Sequence, residues 1–269
     1  MSATRTPSVP SLERALLILE ALSAGRAGLT LSQIARKTGV AKSSAHCLLL
    51  TLERLNYLER EETTGRYAMG RKFFSLASRG LTSVTIGRQA LPHLLALAQR
   101  TGLTVHMAVF DGHEAVLIER IEPSGTSRIP TWVGKRMGLH CTAVGKALAA
   151  HMPPEVVGRL IAAHGLLRHN DNTIRSLKRL KEELERVRQS GYALDDEEEE
   201  IGGRCLGVPV FRDGRAVAAI SVAGNTEQIV PSRFPDLLED LQAAALAISQ
   251  AGSFGSFGEG SLPDGLRSP

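Results

Sequence analysis

The sequence predicts an α+β protein with two folded units, and three local patterns lead to this prediction. Within residues 30–70, two short helices joined by a tight turn are followed at once by a β-hairpin, the order of a winged helix-turn-helix. From Val105 onward, β-prone runs alternate with helical runs. Asp213-Gly214 lies between two apolar runs, the strongest hairpin signal in the chain. We therefore expect an N-terminal winged helix-turn-helix domain, a helical linker and a C-terminal α/β domain built on an antiparallel sheet.

The N-terminal helices are indicated by apolar spacing and by capping residues. Residues 11–24 predict an amphipathic helix, whose apolar side carries Leu12, Ala15, Leu16, Leu19 and Leu22. Thr30 and Gln33 have the spacing of a capping box, which starts a helix over roughly 31–37. Gly39 can adopt the left-handed conformation that ends this helix and redirects the chain.

The second helix of the motif, residues 41–55, has two different faces. One is a stripe with the spacing of a buried face, formed by Ala45, Leu48, Leu49, Leu52 and Leu55. The other starts with small polar side chains, at the end of the helix that meets base edges in a helix-turn-helix. We expect Ser43, Ser44 and His46 to contact base edges or phosphates, and Lys42 to contact a phosphate. The spacing alone fits an ordinary αα-hairpin in a helical core equally well.

The segment that follows favours the winged helix. Two β-prone runs, 57–60 and 66–69, flank the turn-forming Thr63-Thr64-Gly65. Arg66 is expected at this wing, within reach of a phosphate or the minor groove, although a solvated hairpin tip would also place an arginine there. Residues 1–72 carry 11 Lys and Arg against 6 Asp and Glu, a net charge of +5, whereas the whole chain carries +4. The excess positive charge is thus confined to the segment expected to face phosphates.

These landmarks divide the chain. The DNA-binding domain is predicted over 11–71, a linker helix over 72–84 and the second domain over 85–251, beginning with a helix around 86–100. The Ser/Thr/Pro-rich residues 1–10 and the Gly/Ser/Pro-rich residues 252–269 are expected to be disordered.

Composition excludes several classes of protein. We find neither an apolar run approaching a membrane span nor the apolar region of a signal peptide. Cys47, Cys141 and Cys205 are widely spaced and odd in number, which excludes a disulfide framework or a zinc motif. These features indicate a cytoplasmic protein with reduced thiols.

Three features of the second domain could carry chemistry. Cys141 stands between His140 and Thr142 before a helix, and could be a nucleophile, although an inert buried thiol is the more common case. The same helix start offers free backbone amides for an anion. The acidic run 195–200 is expected to face water, with only Asp195 turned inward. The histidines, including His106, show no metal-ligand spacing, and we interpret them as structural or surface residues.

Five ordered segments between residues 11 and 251 resemble the IclR family of bacterial transcriptional regulators. They are SLERALLILEAL at 11–22, LTLSQIARKTGVAKSSAHCLLLTLERLNYL at 29–58, TGRYAMG at 64–70, LHCTAVGKALAA at 139–150 and GYALDDEEEEIGGRCLGVPVF at 191–211. The resemblance implies a GAF-like effector domain over 85–251 and dimers or dimers of dimers. It also implies that Ala143, Val144, Asp195 and Cys205 line the effector pocket. Gly138 stands where the family often has proline, and Cys47 where an arginine is common.

The sequence thus predicts a one-component regulator of double-stranded operator DNA, controlled by a small hydroxy, keto or aromatic acid. We expect it to need no cofactor and no metal, to bind no membrane, and to be no enzyme. Asp195 is expected to bind a hydroxyl or carbonyl of the effector, or else to cap a backbone turn. The alternative functions are a cysteine-dependent hydrolase using Cys141 on an α/β fold, and a structural adaptor without affinity for DNA.

Overall fold

A computed structural model describes residues 8–23, 27–73, 76, 85–124 and 129–251. The chain divides into two compact units, residues 1–82 and 83–269. Most of the predicted linker 72–84, and the predicted tails apart from residues 8–10, lie outside the described residues. Of the helices that are described, none has the length and apolarity that a membrane span requires.

The N-terminal unit is a winged helix-turn-helix, as the sequence predicts. Its helices are α1 (Pro10–Ser23), α2 (Leu31–Thr38) and α3 (Lys42–Arg54), and its strands are β1 (Leu29–Thr30), β2 (Leu58–Arg60) and β3 (Arg66–Met69). The strands form an antiparallel sheet in the order β1-β3-β2.

The predicted start and end of α2 are both confirmed. The Gln33 amide donates to the Thr30 hydroxyl, and the Thr30 amide donates to the Gln33 side chain at 2.9 Å, which completes the capping box. Gly39 follows with a φ of 70°, in the left-handed region. The reciprocal cap therefore fixes the start of α2, and one left-handed glycine begins the turn to α3.

The core of this unit is smaller than the apolar stripes predict. Ile18, Leu22, Ile34, Ala45 and Leu49 are buried in it. Leu55, predicted on the buried stripe, is 40% exposed because α3 ends at Arg54. The buried residues of α1 all lie in its second half, so Leu12 and Leu16 of its predicted apolar side are 58% and 50% exposed.

The C-terminal unit is built on a six-stranded antiparallel sheet in the order β6-β5-β4-β9-β8-β7. The strands are β4 (Thr104–Asp111), β5 (Glu114–Ile121), β6 (Arg136–Met137), β7 (Ala193–Asp196), β8 (Gly203–Arg212) and β9 (Arg215–Asn225). The helices are α4 (Thr85–Thr101), α5 (Ala143–Ala149), α6 (Pro154–His164), α7 (Leu177–Ser190) and α8 (Phe234–Gln250), the last preceded by a 3₁₀ turn at Pro231–Arg233.

Helices cover both faces of this sheet. One face packs large apolar side chains, such as Val105, Met107 and Ile220, against α4 and α8. The other face packs Ala108, Ala193 and Ala219 against α5, α6 and α7. Small side chains on this second face let α5 approach the strands closely.

The hairpin predicted at Asp213-Gly214 joins β8 to β9. Both residues have positive φ, 47° and 73°, and Arg212 pairs with Arg215 across the turn. A two-residue loop with two left-handed residues matches the twist of the adjoining strands. This local signal therefore sets the pairing next to the turn, and a β-bulge between Val210 and Phe211 shifts the register of the longer part of the strand pair.

Candidate functional site

The candidate DNA interface is the exposed start of α3. Lys42, Ser43 and His46 are exposed, whereas Ser44 is half-buried and lies at the edge of the face. Ala41 precedes the helix and provides no side-chain cap. The first amides of α3 thus stand beside small polar side chains, an arrangement that can accept a phosphate. Cys47 is exposed on the same face.

Arg66 occupies the wing, with a contact inside its own domain. It is the first residue of β3 and is half-buried. Its Nη1 atom donates to the Gly28 carbonyl at 2.9 Å, which ties the wing to the residue before β1. A guanidinium has five N–H donors, so this bond leaves others for a phosphate. The exposed residues at the wing include Glu61 and Glu62 as well as Arg60, so charges of both signs lie close to Arg66 in sequence.

The candidate effector site lies on the α5 side of the larger sheet, where two rows of paired residues cross four strands. Directly paired residues in antiparallel strands point to the same face. The first row is Thr104, Ala223, Cys205 and Asp195. The second row is His106, Ser221, Gly207 and Ala193. The structure thus places Asp195 and Cys205 side by side, as the resemblance implies, and adds three polar residues to them.

The start of α5 lies directly over Gly207. A Cβ atom at this position would stand 2.9 Å from the backbone carbon and oxygen of Ala143. Ala143 and Val144 are both buried, so all four residues implied for the pocket belong to one region of the fold. Gly145 is equally constrained, since a Cβ there would come within 2.2 Å of the Gly138 carbonyl.

The helix start is less available to an anion than the sequence predicts. The Thr142 hydroxyl accepts a hydrogen bond from the Gly145 amide at 3.1 Å and donates to the Gly138 carbonyl at 2.8 Å. The helix has seven residues and is buried along its length. Because the cap already uses one of the first amides, the expectation of a set of free amides is wrong in this respect.

Thr104 and His106 were not expected in the site. The Thr104 hydroxyl is buried and has no hydrogen-bond partner among the described residues. His106 is buried, and its Nε2 atom is 2.8 Å from the Thr131 hydroxyl. Burial, together with the charges of Arg120 and Lys135, lowers the pKa of His106 to about 3, so its ring is neutral near pH 7. The sequence does contain a signal for their shared position. Thr104 and His106 alternate with apolar residues in a β-prone run, which places both side chains on one face of a strand.

Asp195 combines burial with a local hydrogen bond. Its Oδ1 atom accepts from the Glu198 amide at 2.9 Å, so the turn-capping role named as the alternative is present in the structure. Burial is the main cause that raises the pKa of the Asp195 carboxyl to about 7. A carboxyl that titrates near neutral pH can donate or accept a hydrogen bond.

The acidic run faces water only in part. Asp196 and Glu200 are exposed, as expected, but Glu198 is buried together with Asp195. Lys146 of α5 is fully buried, and its ammonium contacts the Glu198 carboxylate, the Glu183 carboxylate and the Leu194 carbonyl. Thr173 donates to the Glu198 carbonyl at 2.8 Å. A buried lysine needs charged and polar partners, and this requirement draws Glu198 out of the solvent.

The thiols have the properties of packing residues. Cys141 is fully buried, and burial raises its thiol pKa far above the ordinary value. Burial has the same effect on the pKa of the half-buried Cys205. A nucleophilic cysteine needs a lowered pKa and access to substrate, which Cys141 lacks. In the ranges that the structure describes, no group of three or more His, Cys, Asp or Glu residues is placed to hold a metal ion.

A winged helix-turn-helix joined in one chain to an antiparallel-sheet domain with a buried, partly polar face defines the class of ligand-responsive DNA-binding regulators. Residues 11–62 match the family model described as the IclR helix-turn-helix domain. Residues 78–250 match the model described as the C-terminal domain of the bacterial transcriptional regulator IclR. The chain belongs to the IclR family of transcriptional regulators.

Individual relatives agree with this assignment. The chain is 34% identical over 246 residues to the HTH-type transcriptional regulator XynR of Escherichia coli, covering 91% of this chain and 98% of XynR. The crystal structure of Thermotoga maritima IclR matches with a TM-score of 0.71 at 32% identity, over 89% of this chain and 97% of that one. An IclR homologue from Microbacterium hydrocarbonoxydans, solved with 4-hydroxybenzoate, matches with a TM-score of 0.78 at 26% identity, over 89% and 97%.

The family and the buried thiol together decide between the functions that the sequence left open. The relatives are transcriptional regulators and not enzymes, so the hydrolase alternative has no support. The helix-turn-helix is a DNA-binding domain, which also removes an adaptor without affinity for DNA.

Proposed function

We propose that this regulator binds operator DNA through α3 and the wing, as a dimer or tetramer in the cytoplasm, and that a small organic acid controls this binding. Lys42, Ser43, Ser44 and His46 contact the duplex from α3, and Arg66 contacts it from the wing. The acid binds beside Ala143, Val144, Asp195 and Cys205. Operator affinity changes because the acid binds two conformations of the protein unequally.

The observation that carries the effector site is the buried hydroxyl of Thr104, which has no hydrogen-bond partner in the part of the chain that the structure describes and lies in the same row as Cys205 and Asp195. A buried hydroxyl without a partner costs free energy, and a ligand atom that pairs with it recovers this cost. His106, Asp195 and Ser221 add polar atoms to a mostly apolar surface of small side chains. Such a surface suits a compact carbon skeleton with a few polar groups.

A hydroxy, keto or aromatic acid fits these groups. Asp195, with a pKa near 7, is suited to a hydroxyl or carbonyl of the ligand. The relative from Microbacterium hydrocarbonoxydans was solved with 4-hydroxybenzoate, which carries a hydroxyl and a carboxylate at opposite ends of a ring. The same acid is therefore the first probe for the present chain.

The test is a mobility-shift titration with an operator selected from a random-sequence pool. Ser43→Ala combined with His46→Ala should weaken operator binding by about 1–3 kcal/mol for each specific hydrogen bond to the DNA that is removed. The matched control is Ser232→Ala with His169→Ala, both exposed residues of the C-terminal unit, and it should bind as the unmodified protein does. Equal affinity of both double variants would show that another surface reads the DNA.

Adding 4-hydroxybenzoate should shift the titration midpoint of the unmodified protein, and its failure to do so would exclude this probe acid as an effector.

A further inference from the structure

A salt bridge stands at the border of the candidate effector site. Lys135 directly precedes β6, and its Nζ atom is 3.0 Å from Oε1 of Glu199 in the acidic run. Both side chains are largely buried, with exposed fractions of 17% and 19%. The backbone of Lys135 is fixed, because its carbonyl accepts from the Leu117 amide and its amide donates to the Trp132 carbonyl, each at 3.0 Å. Only the side chain of Lys135 is free to change partners.

Both charges act on the polar residues of the site. The pKa of His106 is lowered mainly by burial, then by the charge of Arg120 and then by the Lys135 ammonium. Glu199 adds to burial and to Asp195 in raising the pKa of Cys205, and Lys135 opposes this effect. Geometry places the pair near the site as well. The hydroxyl of Thr131 is 2.8 Å from Nε2 of His106, and the Lys135 amide donates to the carbonyl of the next residue, Trp132, so one short segment carries both the contact with His106 and the lysine. Glu199 reaches Lys135 from a loop distant in sequence.

The other cations near this face are held more firmly. Lys146 is enclosed by two carboxylates and a carbonyl. Arg120 donates to the Thr131 hydroxyl, to the Glu122 carboxylate and to the Ile129 carbonyl. Lys135 has one carboxylate partner among the described residues, bound through one oxygen. Its other described contacts are weak: the Pro130 carbonyl is 3.5 Å from the ammonium, and the centre of the Trp132 ring is 5.7 Å away. Exchanging that partner costs one ion pair and forms another, whereas the other cations would lose several bonds.

A ligand carboxylate meets repulsion in this region unless a cation is available. The loop that carries Asp195 also carries five further carboxylates in sequence. Glu198 is paired with Lys146, and Asp196 with Arg204. We propose that Lys135 binds the carboxylate of the effector and that Glu199 occupies this position in the ligand-free protein. The effector then displaces Glu199, and the released loop changes its contacts with the strands beside it. This inference rests on the proposed acid effector.

Calorimetric titrations with 4-hydroxybenzoate and its neutral amide, 4-hydroxybenzamide, test the exchange. The unmodified protein should prefer the acid. Lys135→Met should weaken binding of the acid by about ten- to a hundredfold, the range for removing a charged hydrogen bond, and leave the amide unchanged. Glu199→Gln should strengthen binding of the acid, because the competing carboxylate is gone. Lys135→Arg should keep the preference for the acid, and Lys178→Met, at an exposed lysine of α7, should bind as the unmodified protein does.

The opposite signs expected for the two partners separate exchange from a structural role. A structural salt bridge would make Lys135→Met and Glu199→Gln weaken binding together, and that result would overturn the proposal. Unchanged acid affinity in Lys135→Met would overturn it as well. If the unmodified protein binds neither probe, 4-hydroxybenzoate is excluded as an effector, and the exchange, which is proposed for this acid, fails with it. Trp132 is the single tryptophan of the chain, and its ring centre is 5.7 Å from the Lys135 ammonium. Its fluorescence should therefore change when the acid binds, and less so in Lys135→Met.

Discussion

At the scale of single residues, the buried charges of the acidic loop make stability depend on pH. The pKa of Asp195 is raised to about 7, mainly by burial, against an ordinary value near 3.9. Between these two pH values the folded protein keeps a proton that the unfolded chain releases. The stabilisation from this proton is complete below about pH 3.9 and is lost as the pH rises through 7.

Asp195→Asn should remove this dependence. The asparagine oxygen can still accept from the Glu198 amide, but the side chain has no proton to lose. The free energy of unfolding of the natural protein should fall relative to the variant by about 1.4 kcal/mol per pH unit between pH 4 and 7. Urea unfolding of both proteins at pH 5 and pH 7 measures this difference. A difference that stays constant with pH would mean that Asp195 is ionised throughout, with a pKa near its ordinary value.

The burial of Glu198 could not be predicted from the acidic run alone. Six adjacent carboxylates indicate a solvated loop when they are considered alone. Their actual partners, Lys146, Lys135 and Arg204, lie on other segments, and nothing in the local sequence specifies these contacts. The lysine in the apolar run AVGKALAA is the available signal, because a buried ammonium requires a carboxylate from elsewhere.

At the scale of elements, the contact between α5 and β8 depends on Gly207. Gly207→Ala would place a Cβ atom 2.9 Å from the backbone of Ala143, so the helix must move away from the sheet. Overpacking of this kind costs about 1–3 kcal/mol. It should also weaken effector binding, because Ala143 and Val144 move with the helix. Thermal unfolding and titration with 4-hydroxybenzoate measure the two effects.

Gly158→Ala is the matched control for this substitution. Gly158 lies inside α6, and a Cβ atom there would meet nothing within 4 Å. Alanine is the better helix former by about 0.5–1 kcal/mol, so the same substitution should stabilise the protein at this position. Equal effects of the two substitutions would contradict close packing between α5 and β8.

Elements defined by local chemistry were predicted well, and those defined by distant pairing were not. The capping box of α2, the left-handed Gly39 and the Asp213-Gly214 turn each depend on residues within a few positions. The strand order β6-β5-β4-β9-β8-β7 joins β4 to β9 across more than a hundred residues, and no local pattern encodes such a pairing. The row that contains Thr104 and Asp195 follows from that order, so the unpaired hydroxyl could be found only in the structure.

At the scale of the whole molecule, one winged helix reads too few base pairs for useful specificity. We therefore expect this regulator to gain specificity by bringing at least two such domains to one site. The exposed leucines in the first half of α1, Leu12 and Leu16, are placed on the outside of the domain, where burial against a second copy would recover their hydrophobic free energy.

We expect this face of α1 to contribute to self-association. The natural protein should sediment as a dimer or tetramer at micromolar concentration. Leu12→Glu with Leu16→Glu should shift it to smaller species, because two buried carboxylates would oppose the contact, and should weaken binding to an operator with two half-sites. The domain itself should stay folded, since both leucines are exposed in the single chain.

Leu167→Glu, at an exposed leucine of the C-terminal unit, serves as the control and should leave sedimentation unchanged. A natural protein that sediments as a monomer, with and without DNA, would contradict self-association, and unchanged assembly of the double variant would place the contact on another surface.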